Sequence, residues 1–185
     1  MMKNKIVVGI SGSSGSIYAR VLLQKLATLE NVAVSVIFSK NGLVNWELEN
    51  TGVDPQSFGF HIAARNDFFE GSASGSSDYS AMIVCPCSAG FLAKAAQGLS
   101  DDLMSRTADV MLKERRKLIL ILRETPFSLI HIENMKQLTM AGAIICPAIP
   151  SFYSKPQSMD DLASTVTDRA LHLAGINIQS FRWGQ

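Results

Sequence analysis

Runs of apolar residues that end abruptly at polar residues recur along the chain. The clearest run is 118–122, Leu-Ile-Leu-Ile-Leu, which stops at Arg123 and Glu124. An unbroken apolar run of this length is typical of a strand covered on both faces, as in a parallel sheet. Four more runs of the same kind occupy 6–10, 32–38, 81–87 and 143–147. The pattern therefore predicts five buried strands.

Stretches with helical patterns separate these runs. They cover 16–29, 40–50, 88–98, 101–116, 128–141 and 158–174. Strands that alternate with helices favour right-handed βαβ units and one parallel sheet. We therefore predict an α/β protein, with residues 1–185 in a single domain and 176–185 as a C-terminal tail. A chain of 185 residues is long enough to bury a substantial core.

The carboxyl ends of the five predicted strands would meet at one edge of the sheet. Open α/β sheets keep their ligand crevice at this edge. Ser, Lys, Arg, Glu and Tyr side chains follow the strands there, so we expect the functional site at that edge. Residues 66–80 form the one long irregular segment, which is either a connector or a lid.

A glycine- and serine-rich loop, Gly-Ile-Ser-Gly-Ser-Ser-Gly at 9–15, joins the first strand to the first helix. Glycines let a backbone approach a ligand, and a helix N-terminus attracts phosphate. The spacing departs from the G-x-G-x-x-G fingerprint, and the second strand ends at Ser39 and Lys40 instead of an acidic residue. These features favour a mononucleotide such as FMN, with a ligand-free tight turn as the alternative.

Several cations follow on the fourth predicted helix. Arg106 and Lys113 are seven residues apart and therefore share a face. Arg115 and Arg116 are expected in solvent, where they complement the helix dipole. We expect Arg106, Lys113 and Arg123 to converge on the crevice and to suit an anionic leaving group such as phosphate. On helix geometry alone, a solvated surface stripe is the alternative.

Composition narrows the function further. The chain has 17 Lys and Arg against 16 Asp and Glu, which gives no case for nucleic acid. No apolar run approaches the length of a membrane span and no signal-peptide pattern is present, so we expect a cytoplasmic protein. Cys85, Cys87 and Cys146 lie in strand patterns without a complete ligand set, which predicts buried side chains and no metal site. Asp101 and Asp102 are interpreted as helix caps.

Eight short stretches match the patterns of one known family. They are 10–15, 39–40, 73–76, 85–88, 108–116, 123–126, 133–135 and 152–153. The most specific signal is Lys-Glu-Arg-Arg at 113–116 followed by Arg-Glu-Thr-Pro at 123–126. On these stretches the chain resembles the flavin prenyltransferase (UbiX) family over essentially its whole length. The resemblance implies a Rossmann-like, flavodoxin-like three-layer sandwich with a mostly parallel sheet.

The resemblance also implies an activity. Such enzymes are metal-independent prenyltransferases that join a dimethylallyl group from dimethylallyl phosphate to reduced FMN. The product, prenylated FMN, is the cofactor of UbiD-type decarboxylases and links the family to ubiquinone biosynthesis. The family implies a cytoplasmic homododecamer with sites at subunit interfaces, and no nucleic acid or membrane partner. A decarboxylase of the peptidyl-cysteine type and a non-catalytic FMN-binding protein are the alternatives, and a diphosphate donor stays open.

Carried over residue by residue, the resemblance assigns roles to individual side chains. FMN would be held by Gly12, Ser13, Ser14, Ser39, Ser88, Ala89, Gly90, Phe91 and Arg123. The phosphate of the prenyl donor would be bound by Lys113, Tyr153 and Arg169. The expected catalytic residues are Ser14, Glu49, Arg106, Lys113 and Glu124.

Three points are left open by the family pattern. Ring closure on the flavin releases a proton, which either Glu124 or the departing phosphate accepts. Ser13 stands where Ala is expected, a small change that the loop should tolerate. In the tail, Trp183 is either a free end or a cap over a neighbouring subunit.

Overall fold

A computed structural model of the chain describes residues 4–181 and Gly184, so Trp183 lies outside the described residues. The strands are Asn4–Ile10 (β1), Val32–Phe38 (β2), His61–Ala63 (β3), Tyr79–Cys87 (β4), Lys117–Leu122 (β5) and Ile144–Pro147 (β6). The helices are Ser16–Ala27 (α1), Lys40–Glu49 (α2), Ala89–Ala96 (α3), Leu103–Lys113 (α4), Leu129–Met140 (α5) and Met159–Ala174 (α6).

The six strands form one parallel sheet in the order β3-β2-β1-β4-β5-β6. This confirms the predicted α/β fold with a parallel sheet, and the ends of the five predicted strands agree within two residues. The strand order reverses between β1 and β4. Such a switch point opens a crevice outside the carboxyl ends of the strands.

Helices cover both faces of the sheet. On one face Ile6 and Val8 of β1 pack with buried residues of α1 and α6. On the other face Val7 of the same strand packs with buried residues of α3, α4 and α5. All three β1 side chains are fully buried, as expected for a strand in the middle layer of three.

Strand β3 was not predicted, because it has three residues and lies at the edge of the sheet. The segment 66–80 is more ordered than the predicted loop, since it holds a 3₁₀ turn at Gly71–Ala73 and the start of β4. Ser72 in that turn is fully buried and its hydroxyl is 3.2 Å from that of Thr107 in α4. This part of the segment is packed on α4.

The fourth helix is shorter than predicted. It spans 103–113 instead of 101–116. Asp102 is its N-cap and forms a capping box with Ser105, which confirms the capping interpretation of that residue. Arg115 adopts a positive φ of 53° and so ends the helical path. Across the residues that the structure describes, no helix is long and apolar enough to cross a membrane.

Candidate active site

Ser11 ties together the loops that follow β1 and β4. Its side chain is almost fully buried. The Ser11 hydroxyl donates to the carbonyl of Pro86 at 2.8 Å and accepts from the N–H of Ser88 at 2.7 Å. The two loops on either side of the switch point therefore form one rigid floor. Sequence reasoning assigned no role to Ser11, because only the strand order shows that these loops are neighbours.

Helix α2 packs directly on the glycine- and serine-rich loop. A Cβ added to Gly12 would overlap the side chain of Asn41. A Cβ added to Gly42 would overlap the carbonyl oxygen of Ile10 at the end of β1. Both positions therefore need glycine for close approach rather than for an unusual backbone angle. The loop and the first turn of α2 form one wall of the crevice.

Serine caps begin both helices that flank the crevice. The Ser39 hydroxyl accepts from the N–H of Gly42 at 2.9 Å at the start of α2. The Ser88 hydroxyl accepts from the N–H of Phe91 at 3.2 Å at the start of α3. A serine hydroxyl that accepts in a cap keeps its own proton for donation. Both predicted FMN residues can therefore hold their helix and also donate to a ligand.

A cavity of about 380 Å³ lies between these helices. Its lining includes five of the expected FMN residues: Gly12, Ser39, Ser88, Gly90 and Phe91. Three cations also line it, Lys40, Arg65 and Lys94, and of these only Lys40 was singled out from the sequence. Arg65 and Lys94 lie 3.5 and 3.7 Å from the buried carboxylate of Asp102. The structure thus brings the helix-borne FMN residues to one cavity with basic groups in its wall.

Glu49 occupies the N-terminus of α1. Its carboxylate accepts from the N–H groups of Gly15 at 2.8 Å and Ser16 at 2.6 Å. The glycine at the N-cap adopts a left-handed conformation and provides no side-chain cap of its own. Because an anion of the chain takes these N–H groups, the expectation that they hold a ligand phosphate is wrong. The N-termini of α2 and α3 open on the cavity instead.

The same contacts set the protonation of Glu49. Partial burial by itself raises the pKa of the Glu49 carboxyl. Hydrogen bonds from the Ser14 hydroxyl and from the Ser16 and Gly15 N–H groups outweigh that effect, and the pKa lies below its ordinary value. Glu49 is therefore a carboxylate at neutral pH. In the sequence, only the family resemblance pointed to Glu49 as a residue of the site.

The Ser13 hydroxyl shows that the loop has unused hydrogen-bonding capacity. Its oxygen is shielded from solvent and has no hydrogen-bond partner among residues 4–181. Buried polar atoms without a partner are rare, and the Ser13 hydroxyl lies in the loop next to Gly12, which lines the cavity. This residue fits a ligand such as FMN, whose ring edge carries carbonyl and nitrogen atoms.

Arg123 and Glu124 follow β5 at the same edge of the sheet. The Arg123 side chain passes 3.8 Å from the position that a Cβ on Gly15 would take. The N–H of Arg123 donates to the carbonyl of Cys87 at 3.0 Å. The carboxylate of Glu124 accepts from the N–H of Thr125 at 3.0 Å. Arg123 therefore borders the glycine- and serine-rich loop, as predicted.

Lys113 lies near the amino ends of the strands, opposite the edge that holds the crevice. It ends α4, four residues before β5 begins, whereas Arg123 follows the end of β5. Arg106 is also turned away from the crevice, with its Nε 3.1 Å from the carbonyl of Ala73. The predicted convergence of Arg106, Lys113 and Arg123 within one chain is therefore wrong. Helix α4 runs antiparallel to the strands, so its last turn lies about 15 Å from its first turn and away from the crevice.

The last turn of α4 is covered by the segment before β4. Lys113 forms an ion pair with Glu114, and an added Cβ on Gly75 would overlap this pair. Arg116 donates to the carbonyl of Gly75 at 2.6 Å. The expectation that Arg116 is solvated is therefore wrong, because it clamps this segment. Arg115 is exposed, as predicted.

Tyr153 and Arg169 belong to a third region. Tyr153 follows β6 with 67% of its surface exposed. Arg169, on α6, lines a separate cavity of about 940 Å³ together with Lys155. Strand β6 is three positions from β1 in the sheet, or about 14 Å. One chain thus brings five of the expected FMN residues to one cavity but keeps the expected donor-phosphate residues apart.

Two of the three cysteines are buried, as predicted, whereas Cys146 in the edge strand β6 is only partly buried. Cys85 and Cys87 are fully buried in β4, and burial raises the pKa of both thiols. Burial also raises the pKa of the Cys146 thiol, which the nearby Arg169 cation partly offsets. Within the described part of the chain, no three His, Cys, Asp or Glu residues are grouped closely enough to hold a metal ion.

Comparison with known proteins agrees with this architecture. The family model described as Flavoprotein matches residues 1–171, so the chain belongs to the flavoproteins. The flavin prenyltransferase UbiX of Methanocaldococcus jannaschii is 41% identical over 181 residues, which are 97% of this chain and 98% of that protein. The chain is therefore a member of the UbiX flavin prenyltransferase family, and an enzyme of the transferase class.

Solved structures agree as well. A crystal structure of AnUbiX in complex with FMN and dimethylallyl pyrophosphate superposes with a TM-score of 0.88 at 38% identity, covering 98% of this chain and 99% of that one. A dodecameric FMN-dependent UbiX-like decarboxylase from Escherichia coli O157:H7 superposes with a TM-score of 0.92 at 36% identity, covering 98% and 100%. These neighbours share the fold over essentially the whole chain.

Proposed function

We propose that the protein transfers a dimethylallyl group from dimethylallyl phosphate to reduced FMN. The new bonds join the group to a central-ring nitrogen and to an adjacent aromatic carbon, which adds a fourth ring. The observation that carries the proposal is the joined floor at the switch point, where Ser11 holds the loops of Gly12 and Ser88 beside one cavity. Membership of the flavin prenyltransferases supports the same reaction.

The chain's own residues would hold FMN at two ends. The ring would lie against Gly12, Ser13 and Ser14, with Arg123 at its border. The phosphate would lie at the first turns of α2 and α3, because Glu49 already occupies the N-terminus of α1. Ser39 and the helix turn Ser88, Ala89, Gly90 and Phe91 would donate to it there.

A second copy of the chain would complete the site. Lys113 is at the far edge of its own sheet, so it can meet the crevice of another subunit. We propose that Lys113, Tyr153 and Arg169 bind the phosphate of the prenyl donor, with Arg106 nearby. Breaking the allylic C–O bond places negative charge on the leaving phosphate, which fixed cations and a Tyr hydroxyl stabilise. The electron-rich reduced flavin faces the positive charge that develops on carbon.

Two carboxylates would serve the transfer. Glu49 would hold the shape of the loop, and with it the position of Ser14 beside the ring, since it accepts hydrogen bonds from the loop N–H groups and from the Ser14 hydroxyl. Glu124, at the end of β5, or the departing phosphate would accept the proton that ring closure releases. Both carboxylates lie at the carboxyl edge of the sheet, Glu49 because it contacts the N-terminus of α1 and Glu124 because it follows β5.

The assembly and the fate of the product are part of the same proposal. We propose a homododecamer, and a structural neighbour described as dodecameric supports it. Exposed apolar side chains on α5 are suited to the contacts between subunits. The prenylated FMN would serve a UbiD-type decarboxylase in the cytoplasm, as in ubiquinone biosynthesis.

The test is anaerobic incubation with reduced FMN and either dimethylallyl phosphate or dimethylallyl pyrophosphate. The flavin should become heavier by one five-carbon unit, and the two donors should differ in rate. A flavin of unchanged mass with both donors would refute the proposal. Arg169→Ala should spare FMN binding and abolish turnover, whereas a non-catalytic FMN carrier would show no difference between the two proteins.

A further inference from the structure

Helix α2 is attached to α1 at two points one helical turn apart. The first is the carboxylate of Glu49 on the N–H groups of Gly15 and Ser16. The second is the side chain of Asn50, whose Oδ1 accepts from Nε of Arg20 at 3.1 Å. Glu49 and Asn50 are neighbours in the chain, so fixing one restricts the other.

Asn50 depends on Arg20 for its orientation. Its side chain is 5% exposed, and its Nδ2 has no hydrogen-bond partner in the described part of the chain. The bond from Arg20 therefore decides which way the buried amide points. Asn50 also ends α2, with its N–H donated to the carbonyl of Trp46.

Arg20 is itself held from a third helix. Its two terminal nitrogens donate to the two carboxylate oxygens of Asp160 at 2.9 and 2.6 Å. The Arg20 side chain is only 17% exposed, so this bidentate pair is partly shielded from solvent. Asp160 lies in the first turn of α6, the helix that carries Arg169. One guanidinium thus joins α1, the end of α2 and the start of α6.

We propose that Arg20 is a positioning residue for Glu49. Through Asn50 it fixes the end of α2, so that the Glu49 carboxylate stays on the N–H groups of Gly15 and Ser16 and keeps the glycine- and serine-rich loop in its ligand-ready shape. The expected effect of Arg20 on flavin binding rests on the function proposed above. The expected effect of Arg20 on the order of the loop does not rest on that function, and it is measured on protein free of flavin.

The same pair of helices offers a matched control that distinguishes positioning of Glu49 from a purely structural role of Arg20. Lys25 and Asp168 also join α1 to α6, five residues further along α1 and away from the loop. Loss of either pair removes one tie between the two helices. Only loss of Arg20 also removes a tie to α2, the one through Asn50.

The first experiment measures hydrogen–deuterium exchange of residues 11–20 by mass spectrometry in flavin-free protein. We expect Arg20→Met, Asn50→Ala and Glu49→Ala each to accelerate exchange of this segment about tenfold. Asn50→Asp, which keeps the acceptor, should restore wild-type exchange. Lys25→Met should leave this segment unchanged.

The second measurement is a double-mutant cycle. In the Glu49→Ala background, Arg20→Met should add less than about twofold to the exchange rate, because both substitutions release the same contact. Full additivity, or wild-type exchange in Asn50→Ala, would overturn the proposal. Asn50→Ala keeps the pair between Arg20 and Asp160, so it remains informative if Arg20→Met fails to fold.

The dissociation constant of FMN separates this inference from the proposed function. We expect about tenfold weaker binding for Arg20→Met and Asn50→Ala, and unchanged binding for Lys25→Met. A wild-type protein that binds FMN but does not alter its mass would refute the prenyl transfer alone. Normal loop exchange in the Arg20 and Asn50 variants would refute the role of Arg20 alone.

Discussion

At the N-terminus of α1 the chain supplies its own anion. The Glu49 carboxylate satisfies two N–H groups that would otherwise attract a phosphate. The same carboxylate prevents a negatively charged ligand from settling there, since two anions at one helix end repel each other. In the proposed site, a phosphate would therefore bind at the basic cavity at α2 and α3.

The lowered pKa of Glu49 predicts a specific dependence of stability on pH. A carboxyl whose pKa is lower in the folded protein stabilises the fold above its unfolded value, near 4.5, and loses that contribution as the pH falls through the folded value. The difference in free energy of unfolding between wild type and Glu49→Gln should therefore shrink from about pH 6 to about pH 3. Urea denaturation at both pH values measures it, and a constant difference would contradict the assignment.

Gly42 gives a second prediction for a single residue. In Gly42→Ala the new methyl group would overlap the carbonyl oxygen of Ile10, and backbone on both sides must shift. We expect a loss of about 2 kcal/mol or more in the free energy of unfolding. Gly90→Ala is the matched control in the first turn of α3, where the nearest atom is 3.9 Å away. Thermal unfolding of both variants tests this, and equal melting temperatures would count against it.

At the scale of elements, the sequence predicted the strands whose side chains are buried on both faces of the sheet. Strands in the middle of a parallel sheet are covered on both faces, so β1, β4 and β5 appear as unbroken apolar runs. Strand β3 pairs on one side only, and its His61 is exposed, so it left no such pattern. Asp102 could be located as a helix cap because capping depends only on residues in the first turn of the helix.

The site was predictable only where it depends on neighbours in sequence. The loop at 9–15 could be recognised because its glycines and serines are consecutive. Contacts between distant residues could not be found this way: Glu49 is 33 residues from Ser16, and Ser11 is 77 from Ser88. The position of Lys113 was mistaken because a shared helix face says nothing about which end of the helix meets the crevice.

The contact between the segment before β4 and the last turn of α4 can be tested by a substitution at Gly75. In Gly75→Ala the methyl group would lie 2.6 Å from the Lys113 Nζ and would also displace Glu114. We expect the rate of prenyl transfer to fall about tenfold while the FMN dissociation constant stays unchanged. Gly71→Ala, where the nearest atom is 3.7 Å away, is the control. Weaker FMN binding in Gly75→Ala would argue that this contact serves the flavin instead.

For the whole molecule, the exposed face of α5 is the feature that a single chain does not explain. Leu129 and Ile130 are each 71% exposed, and Phe152, which follows β6, is exposed to the same extent. An apolar group of this kind usually marks an interface. Ile130→Asp should therefore dissociate the oligomer, as measured by light scattering after size exclusion. Leu99→Asp, at an exposed position between α3 and α4, should leave its mass unchanged.

Because Lys113 lies across the sheet from the glycine- and serine-rich loop, two inactive proteins should rescue each other. In the proposed site, Lys113→Ala would remove a residue that a subunit contributes to its neighbour, and Ser14→Ala would remove a residue of the subunit's own crevice. Coexpressed in equal amounts and mixed at random, they should yield hybrids in which about a quarter of the sites contain both unaltered residues. Flavin turnover near that fraction of wild type is the expected result. A mixture with as little turnover as either variant alone would mean that each site uses the Lys113 of its own chain.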